Sequence, residues 1–150
     1  VVELGACLED ILTMLGPSLK NSPHRIALEQ DERVLLRTAP GALYQIVTNL
    51  VANALSHAFT SEQAGQITLR IARDGDVAIL EVRDNGRGMS QEVLAHVFEP
   101  FFTTKRGQGG TGLGLHIVYN LVAQVLKGRI RCDSTPGKGT TFEIRLPVTT

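Results

Sequence analysis

Cysteine is scarce in this chain: of 150 residues only Cys7 and Cys132 carry thiols, and neither falls in a C-x-x-C or Cys/His ligand pattern. That excludes a structural zinc site and a disulfide framework, and it points to reduced thiols in an intracellular protein. A surplus of one charge sign is lacking too, since 15 Lys+Arg balance 15 Asp+Glu in scattered positions. The footprint of a nucleic-acid binder or of a polybasic membrane anchor is therefore missing. No apolar run approaches the roughly 20 residues of a membrane span. Tryptophan is absent, the first residue is Val rather than Met, and no signal peptide is visible. The chain is expected to be a piece of a longer protein, lying in the cytoplasm whether or not the whole is anchored in an inner membrane. What remains is 43% apolar residues, 15 Gly and 6 Pro, the make-up of one globular domain over residues 1–150. A chain of this length buries roughly 68–70% of its unfolded surface and needs no covalent staple.

Hydrophobic periodicity divides the chain into elements. Leu4, Leu8, Ile11, Leu12 and Leu15 lie at helical spacing, and Gly16-Pro17 is expected to stop that helix. Ile26 to Leu28 and Val34 to Leu36 read as a hairpin near a sheet edge, joined by the charged turn from Glu29 to Arg33. After Pro40-Gly41, the residues Leu43, Ile46, Val47, Leu50, Val51, Ala54 and Leu55 form the broad apolar face of a helix reaching Ala58. Gln66 to Arg73 and Val77 to Val82 predict a second hairpin around Asp74-Gly75-Asp76. Ser90 can cap a short helix from Gln91 to Val97, and the segment from Glu99 to Gly114, rich in glycine and phenylalanine, reads as a long functional loop. Leu113, Ile117, Val118, Leu121, Val122 and Val125 then mark a helix ended by Lys127-Gly128. Arg129 to Cys132 and Thr140 to Leu146 give a last strand pair around the turn from Thr135 to Gly139. Helices over one face of a mostly antiparallel mixed sheet make the expected class α+β, a two-layer sandwich.

Four groups of residues can carry chemistry. Asn49, Asn53 and His57 project from one line of the long helix; this is either an ordinary polar face or a pair of carboxamides suited to magnesium, a hard cation content with few protein oxygens. Asp84-Asn-Gly-Arg-Gly88-Met follows a strand directly, as a plain turn or as a fixed acceptor for a purine amino group beside glycines that let a flat ring approach. The run Gly109-Gly-Thr-Gly-Leu-Gly-Leu-His116 enters a helix start, where free N–H groups suit an anion. It is neither a P-loop nor a dinucleotide fingerprint. Phe98, Phe101 and Phe102 can dock the loop on the core, with Thr103, Thr104 and Lys105 beside them as a hinged lid. Arg87, Arg106 and Lys138 are further candidates for phosphate contact.

These segments, in this order, resemble the ATP-binding catalytic domain of sensor histidine kinases, in the superfamily shared with DNA gyrase, heat-shock chaperone and mismatch-repair ATPases. The resemblance rests on N-L-V-A-N-A, D-N-G-R-G-M, F-E-P-F-F, G-T-G-L-G-L and G-K-G-T-T-F, and covers nearly the whole chain. It implies the Bergerat α/β sandwich, with ATP as cofactor and ADP as product. It implies that Asn53 ligates Mg²⁺ bridging the phosphates, with Asn49 supporting that site. Asp84 would accept the adenine amino group, assisted through water by Thr140, while Gly86 and Gly88 shape the adenine pocket. Gly110, Thr111, Gly112, Leu113, Gly114 and Leu115 would cradle the phosphates. Many family members carry a basic residue and then a Tyr where this chain has Ser56 and His57, so that phosphate contact falls to His57 or Lys105.

The superfamily's hydrolases and protein-serine kinases place a general-base Glu where this chain has Asn49, which cannot take a proton at neutral pH. The resemblance thus favours a kinase acting on histidine, whose imidazole is already nucleophilic, with Asn49 and Lys105 as the candidate catalytic groups. His24, His57, His96 and His116 lack the context of a phosphoacceptor. The expected partners are a histidine-bearing dimerisation domain of the same kinase and, downstream, a response regulator. No nucleic acid or membrane contact is expected of this domain, which by itself should be a monomer. Two alternatives are an ATP/ADP-responsive binding module without phosphoryl transfer and a protein-serine kinase of the anti-sigma type.

Overall fold

The computed structural model describes residues 1–19, 23–55, 65–99 and 114–148. Strand β1 (Val2–Glu3) leads into helix α1 (Leu4–Leu19), followed by β2 (Arg25–Gln30), β3 (Leu35–Leu36) and helix α2 (Pro40–Asn53). Strands β4 (Gln66–Asp74) and β5 (Val77–Asp84) form a hairpin, and after helices α3 (Gln91–Ala95) and α4 (Gly114–Asn120) come β6 (Arg129–Thr135) and β7 (Gly139–Pro147). Five strands lie in the order β2-β4-β5-β7-β6, all neighbours antiparallel except β2 and β4. This is the mixed, mostly antiparallel sheet that the pattern predicts.

Residues opposite one another on neighbouring strands share a face. One face carries the rows Ile71–Leu80–Ile144–Ile130 and Leu69–Val82–Phe142–Cys132. Against it pack Leu4, Leu8 and Ile11 of α1, Leu43, Ile46, Val47, Leu50 and Val51 of α2, and Val118 of α4, in one continuous core. Each such side chain gains about 1.5–3 kcal/mol on leaving water, so a single face suffices to hold the helical layer. The other face carries Arg70, Glu81, Glu143 and Arg131 side by side. Glu81 is bridged by Arg70 (3.3 Å) and Arg83 (2.9 Å), and Glu143 by Arg145 (2.7 Å) and Arg131 (3.5 Å).

Three expectations need correction. The hairpin of Ile26–Leu28 with Val34–Leu36 does not form: β2 pairs in parallel with β4, while β3 joins β1 in a separate two-stranded ribbon. The placement at a sheet edge holds for Ile26–Leu28, since β2 is an edge strand of the five-stranded sheet. Val34 and Leu36 are drawn away because they are fully buried beside α1, where the Val34 carbonyl accepts the Leu4 N–H at 2.9 Å. Helix α1 also runs through Gly16-Pro17 to Leu19. Pro17 removes one intrahelical donor, and the usual clash of a proline ring with the preceding Cβ is absent because residue 16 is Gly.

The third correction concerns the last helix. Ile117 and Val125 are 36% and 50% exposed, and the buried stripe runs Val118, Val122, Leu126. Leu126 takes the buried place expected of Val125 because of a π-helical turn over Leu121–Val125, in which the Leu126 N–H reaches the Leu121 carbonyl at 3.0 Å. The wider turn absorbs one extra residue and shifts the apolar phase by one position. Leu126→Ala is therefore expected to cost about 2 kcal/mol in urea denaturation, against less than about 0.5 kcal/mol for Val125→Ala. The chain then reverses at Lys127, whose φ is +56°. Residues 100–113 of the predicted loop and the end of α2 at Ala58 lie outside the described residues, and Gly114 already opens α4.

Candidate nucleotide site

At one end of the helix-covered sheet face the apolar rows give way to a polar one. Asp84 on β5 stands opposite Thr140 on β7, and Thr140 opposite Ser134 on β6, next to the row Val82–Phe142–Cys132. Strand alternation dictates this: Asp84 comes two residues after Val82 and so points to the same side. A carboxylate, two hydroxyls and an apolar floor thus meet at one edge of the core.

The Asp84 carboxyl is half-buried, and burial pushes its pKa up, partly offset by hydrogen bonds from the backbone N–H groups of Gly86 and Thr140. The Gly86 N–H donates to Oδ1 at 2.9 Å, so the turn begins on its own carboxylate. Asn85 ties the same turn to β4, its Oδ1 accepting the Gln66 N–H at 2.8 Å. Burial also pushes the neighbouring Cys132 thiol up to about 12, with Asp133 and Asp84 adding to it, which leaves that thiol protonated and inert.

Gly88 and Gly139 let this segment close on the β6–β7 turn. Both hold positive φ, +70° and +93°. A Cβ at Gly88 would lie 2.1 Å from the Thr135 carbonyl oxygen, and one at Gly139 would lie 2.1 Å from that of Asp84. The two turns are also bonded, Gly137 N–H to the Arg87 carbonyl at 2.7 Å and Met89 N–H to Ser134 Oγ at 2.8 Å. The structure thereby brings Asp84, Gly86, Gly88 and Thr140 together, as the motifs imply. Ser134 and Asn85 were not singled out by the sequence, although the turn from Thr135 to Gly139 already places Ser134 opposite Thr140.

On the helical layer, Asn49 and Asn53 are half-buried one turn apart on α2. Among the described residues neither carboxamide has a hydrogen-bond partner, so both oxygens remain available to a hard cation. Among the described residues no three His, Cys, Asp or Glu side chains cluster to hold a metal. Gly114 and Leu115 open α4, with Leu115 packed against the core. His116 Nδ1 lies 3.2 Å from the Phe98 carbonyl, and the Phe98 ring packs on Tyr119 and Phe142 at centroid distances of 5.4 and 6.1 Å. At least this phenylalanine docks the loop's start on the core. His57, Thr103, Thr104, Lys105, Gly110, Thr111, Gly112 and Leu113 lie outside the described residues.

An acceptor fixed at the rim of an apolar floor, with glycines on one side, suits a flat heterocycle bearing an amino group. Comparison with known proteins agrees with that chemistry. Residues 38–150 match the family model described as histidine kinase-, DNA gyrase B-, and HSP90-like ATPase. The sensor protein TorS of Escherichia coli (strain K12) is 39% identical over 143 residues, covering 94% of this chain and 15% of TorS. The alginate biosynthesis sensor protein KinB of Pseudomonas aeruginosa is 36% identical, over 98% of this chain and 25% of KinB. The chain thus spans a quarter or less of these relatives. Among solved structures, the nucleotide-free catalytic domain of histidine kinase ThkA superposes with a TM-score of 0.84 at 24% identity, covering 99% of this chain and 94% of that one. Full-length ShkA in complex with AMPPNP gives 0.83 at 30% identity, covering 99% of this chain and 31% of ShkA.

Proposed function

Because the chain belongs to the histidine kinase-, DNA gyrase B- and HSP90-like ATPase family, we propose that it binds ATP with Mg²⁺ and supplies the γ-phosphoryl group to a histidine on a separate dimerisation domain. The observation that carries this reading is the row Asp84–Thr140 at the end of the apolar sheet face, backed by the crowded glycines Gly88 and Gly139. There the adenine ring would lie on the floor with its amino group on Asp84. The resemblance to ShkA, recorded with AMPPNP, supports the ligand class.

Asn53, with Asn49 beside it, would hold Mg²⁺ by carboxamide oxygen. The metal, when bound, supplies charge neutralisation across the phosphates. The chain's own part is positioning: Asp84 anchors one end of the nucleotide, α2 offers the other end its carboxamides, and Gly114 opens a helix with free N–H groups toward an anion. Asn49 takes no proton, so the acceptor imidazole must be nucleophilic unaided. We place Gly110 to Leu115 at the phosphates, His57 or Lys105 in place of the family's basic residue, and Thr103 and Thr104 beside them. Residues 1–150 would act as one cytoplasmic domain, a monomer when alone, with a response regulator accepting the phosphoryl group downstream. No helix among the described residues is long and apolar enough to cross a membrane.

The test is transfer of labelled phosphate from ATP to a histidine-bearing helical dimerisation domain from a sensor kinase of the TorS or KinB kind. An acid-labile, base-stable phosphoprotein that needs Mg²⁺ is expected, and Asn53→Ala should abolish its formation or raise the Mg²⁺ concentration it requires. An acid-stable product would point to a serine kinase. ATP binding with no transfer to any such domain would leave a nucleotide-responsive module.

A further inference from the structure

Three hydroxyl-bearing or amide groups converge on Ser134 at the rim of the site. Its Oγ accepts the Met89 N–H at 2.8 Å and lies 2.9 Å from both the Gly139 carbonyl oxygen and Thr140 Oγ1. A serine hydroxyl has one proton and two lone pairs. The Gly139 carbonyl can only accept, so the arrangement that satisfies all three contacts gives it the Ser134 proton. The Met89 N–H takes one Ser134 lone pair, and the Thr140 hydroxyl must then donate its proton to the other. Thr140 Oγ1 is left showing only lone pairs. It does so in the row that contains the Asp84 carboxylate, itself a pure acceptor when ionised.

We propose that Ser134 is a positioning residue that fixes the polarity of the Thr140 hydroxyl, so that the rim presents acceptors only and selects a 6-amino purine over a 6-oxo purine. The proposal rests on the adenine reading above and adds a specificity determinant to it. An amino group has two hydrogens to give; it meets one acceptor in Asp84 and a second in Thr140, directly or through a water that spends a hydrogen on Thr140. A 6-oxo group faces the same two acceptors with lone pairs of its own. Without Ser134 the Thr140 proton is free to turn toward the ligand, and the barrier against the oxo group is lowered. The same serine, through the Met89 N–H, also bonds the segment from Asp84 to Met89 to the β6–β7 turn.

The experiment is calorimetric titration of the chain with ATP and with ITP, which carries oxygen at position 6, for the wild type, Ser134→Ala and Ser134→Thr. The wild type is expected to prefer ATP, and Ser134→Ala to lower the ATP-to-ITP affinity ratio by roughly threefold to tenfold, the size of one hydrogen bond's effect. Ser134→Thr, which keeps the hydroxyl, should restore the ratio. Thr140→Val supplies a second route if Ser134→Ala does not fold: it should shift the ratio equally, and the double variant should add nothing further. A Ser134→Ala chain that loses ATP and ITP affinity in equal measure, or melts earlier with its ratio unchanged, overturns the assignment and makes Ser134 a structural link only. A folded wild type that binds neither nucleotide overturns the adenine reading, and the assignment with it.

Discussion

Asp84→Asn is expected to weaken ATP binding by about ten- to hundredfold in calorimetry, the loss that accompanies a hydrogen bond to a charged acceptor. The carboxylate has two oxygens, and the backbone N–H groups of Gly86 and Thr140 already draw on them. An asparagine has only one oxygen. If it serves the backbone, its own NH₂ confronts the adenine amino group; if it serves the ligand, a half-buried N–H is left unpaired. The ligand-free protein should respond in the opposite sense. Burial holds the Asp84 pKa above its ordinary value, so its favourable contribution is complete only below the usual carboxylate range and is lost as pH rises through the raised value. At pH 7 the ligand-free variant should melt no lower than the wild type, and the wild type should gain on it as the pH falls. A variant that lost both affinity and stability at pH 7 would show that Asp84 holds the fold rather than the ligand.

Gly88→Ala should cost on the order of 3 kcal/mol or more in urea denaturation, the sum of a strained positive φ and a clash that cannot be relieved locally. The added carbon would sit 2.1 Å from the Thr135 carbonyl oxygen and 3.2 Å from that of Gly139. Both are backbone atoms, so relief requires the two turns to separate. Gly137→Ala provides the control, because Gly137 also holds positive φ, +80°, but faces open space. It should cost only about 1 kcal/mol, the conformational part alone. Equal costs at the two positions would mean that the turns are not packed as described. ATP affinity should fall with Gly88→Ala and hold with Gly137→Ala.

Elements whose bonds close locally were legible in the sequence, and elements completed at long range were not. The β4–β5 hairpin and the helix from Pro40 announce themselves through short-period patterns, and Ser90 caps α3 by accepting the Val93 N–H. The partner of β2 is β4, with all of α2 between them; no turn chemistry encodes a parallel pairing, so the nearer candidate Val34–Leu36 looked like its mate. The π turn was invisible for a related reason, since one extra residue leaves each half of the helix in good phase and breaks only their relation. At the site, Asp84 and Gly88 could be named because glycine and acid cluster at strand ends, and Thr140 only because G-K-G-T-T-F resembles a family motif. Ser134 could not, because a lone serine before a turn has no pattern of its own; only the register across the hairpin gives it meaning.

The paired charges on the solvent side of the sheet bear on the phosphates that would lie on its other side. Arg70, Arg83, Arg131 and Arg145 are engaged with Glu81 and Glu143 there, and a strand that turns a side chain outward cannot also present it inward. A ligand carrying up to four negative charges on the inner face therefore makes no ion pair with them. On the proposed reading, metal, backbone N–H groups and His57 or Lys105 are left to balance the triphosphate, so the affinity of this chain for ATP should depend on Mg²⁺ far more than on the arginines that fill its sheet.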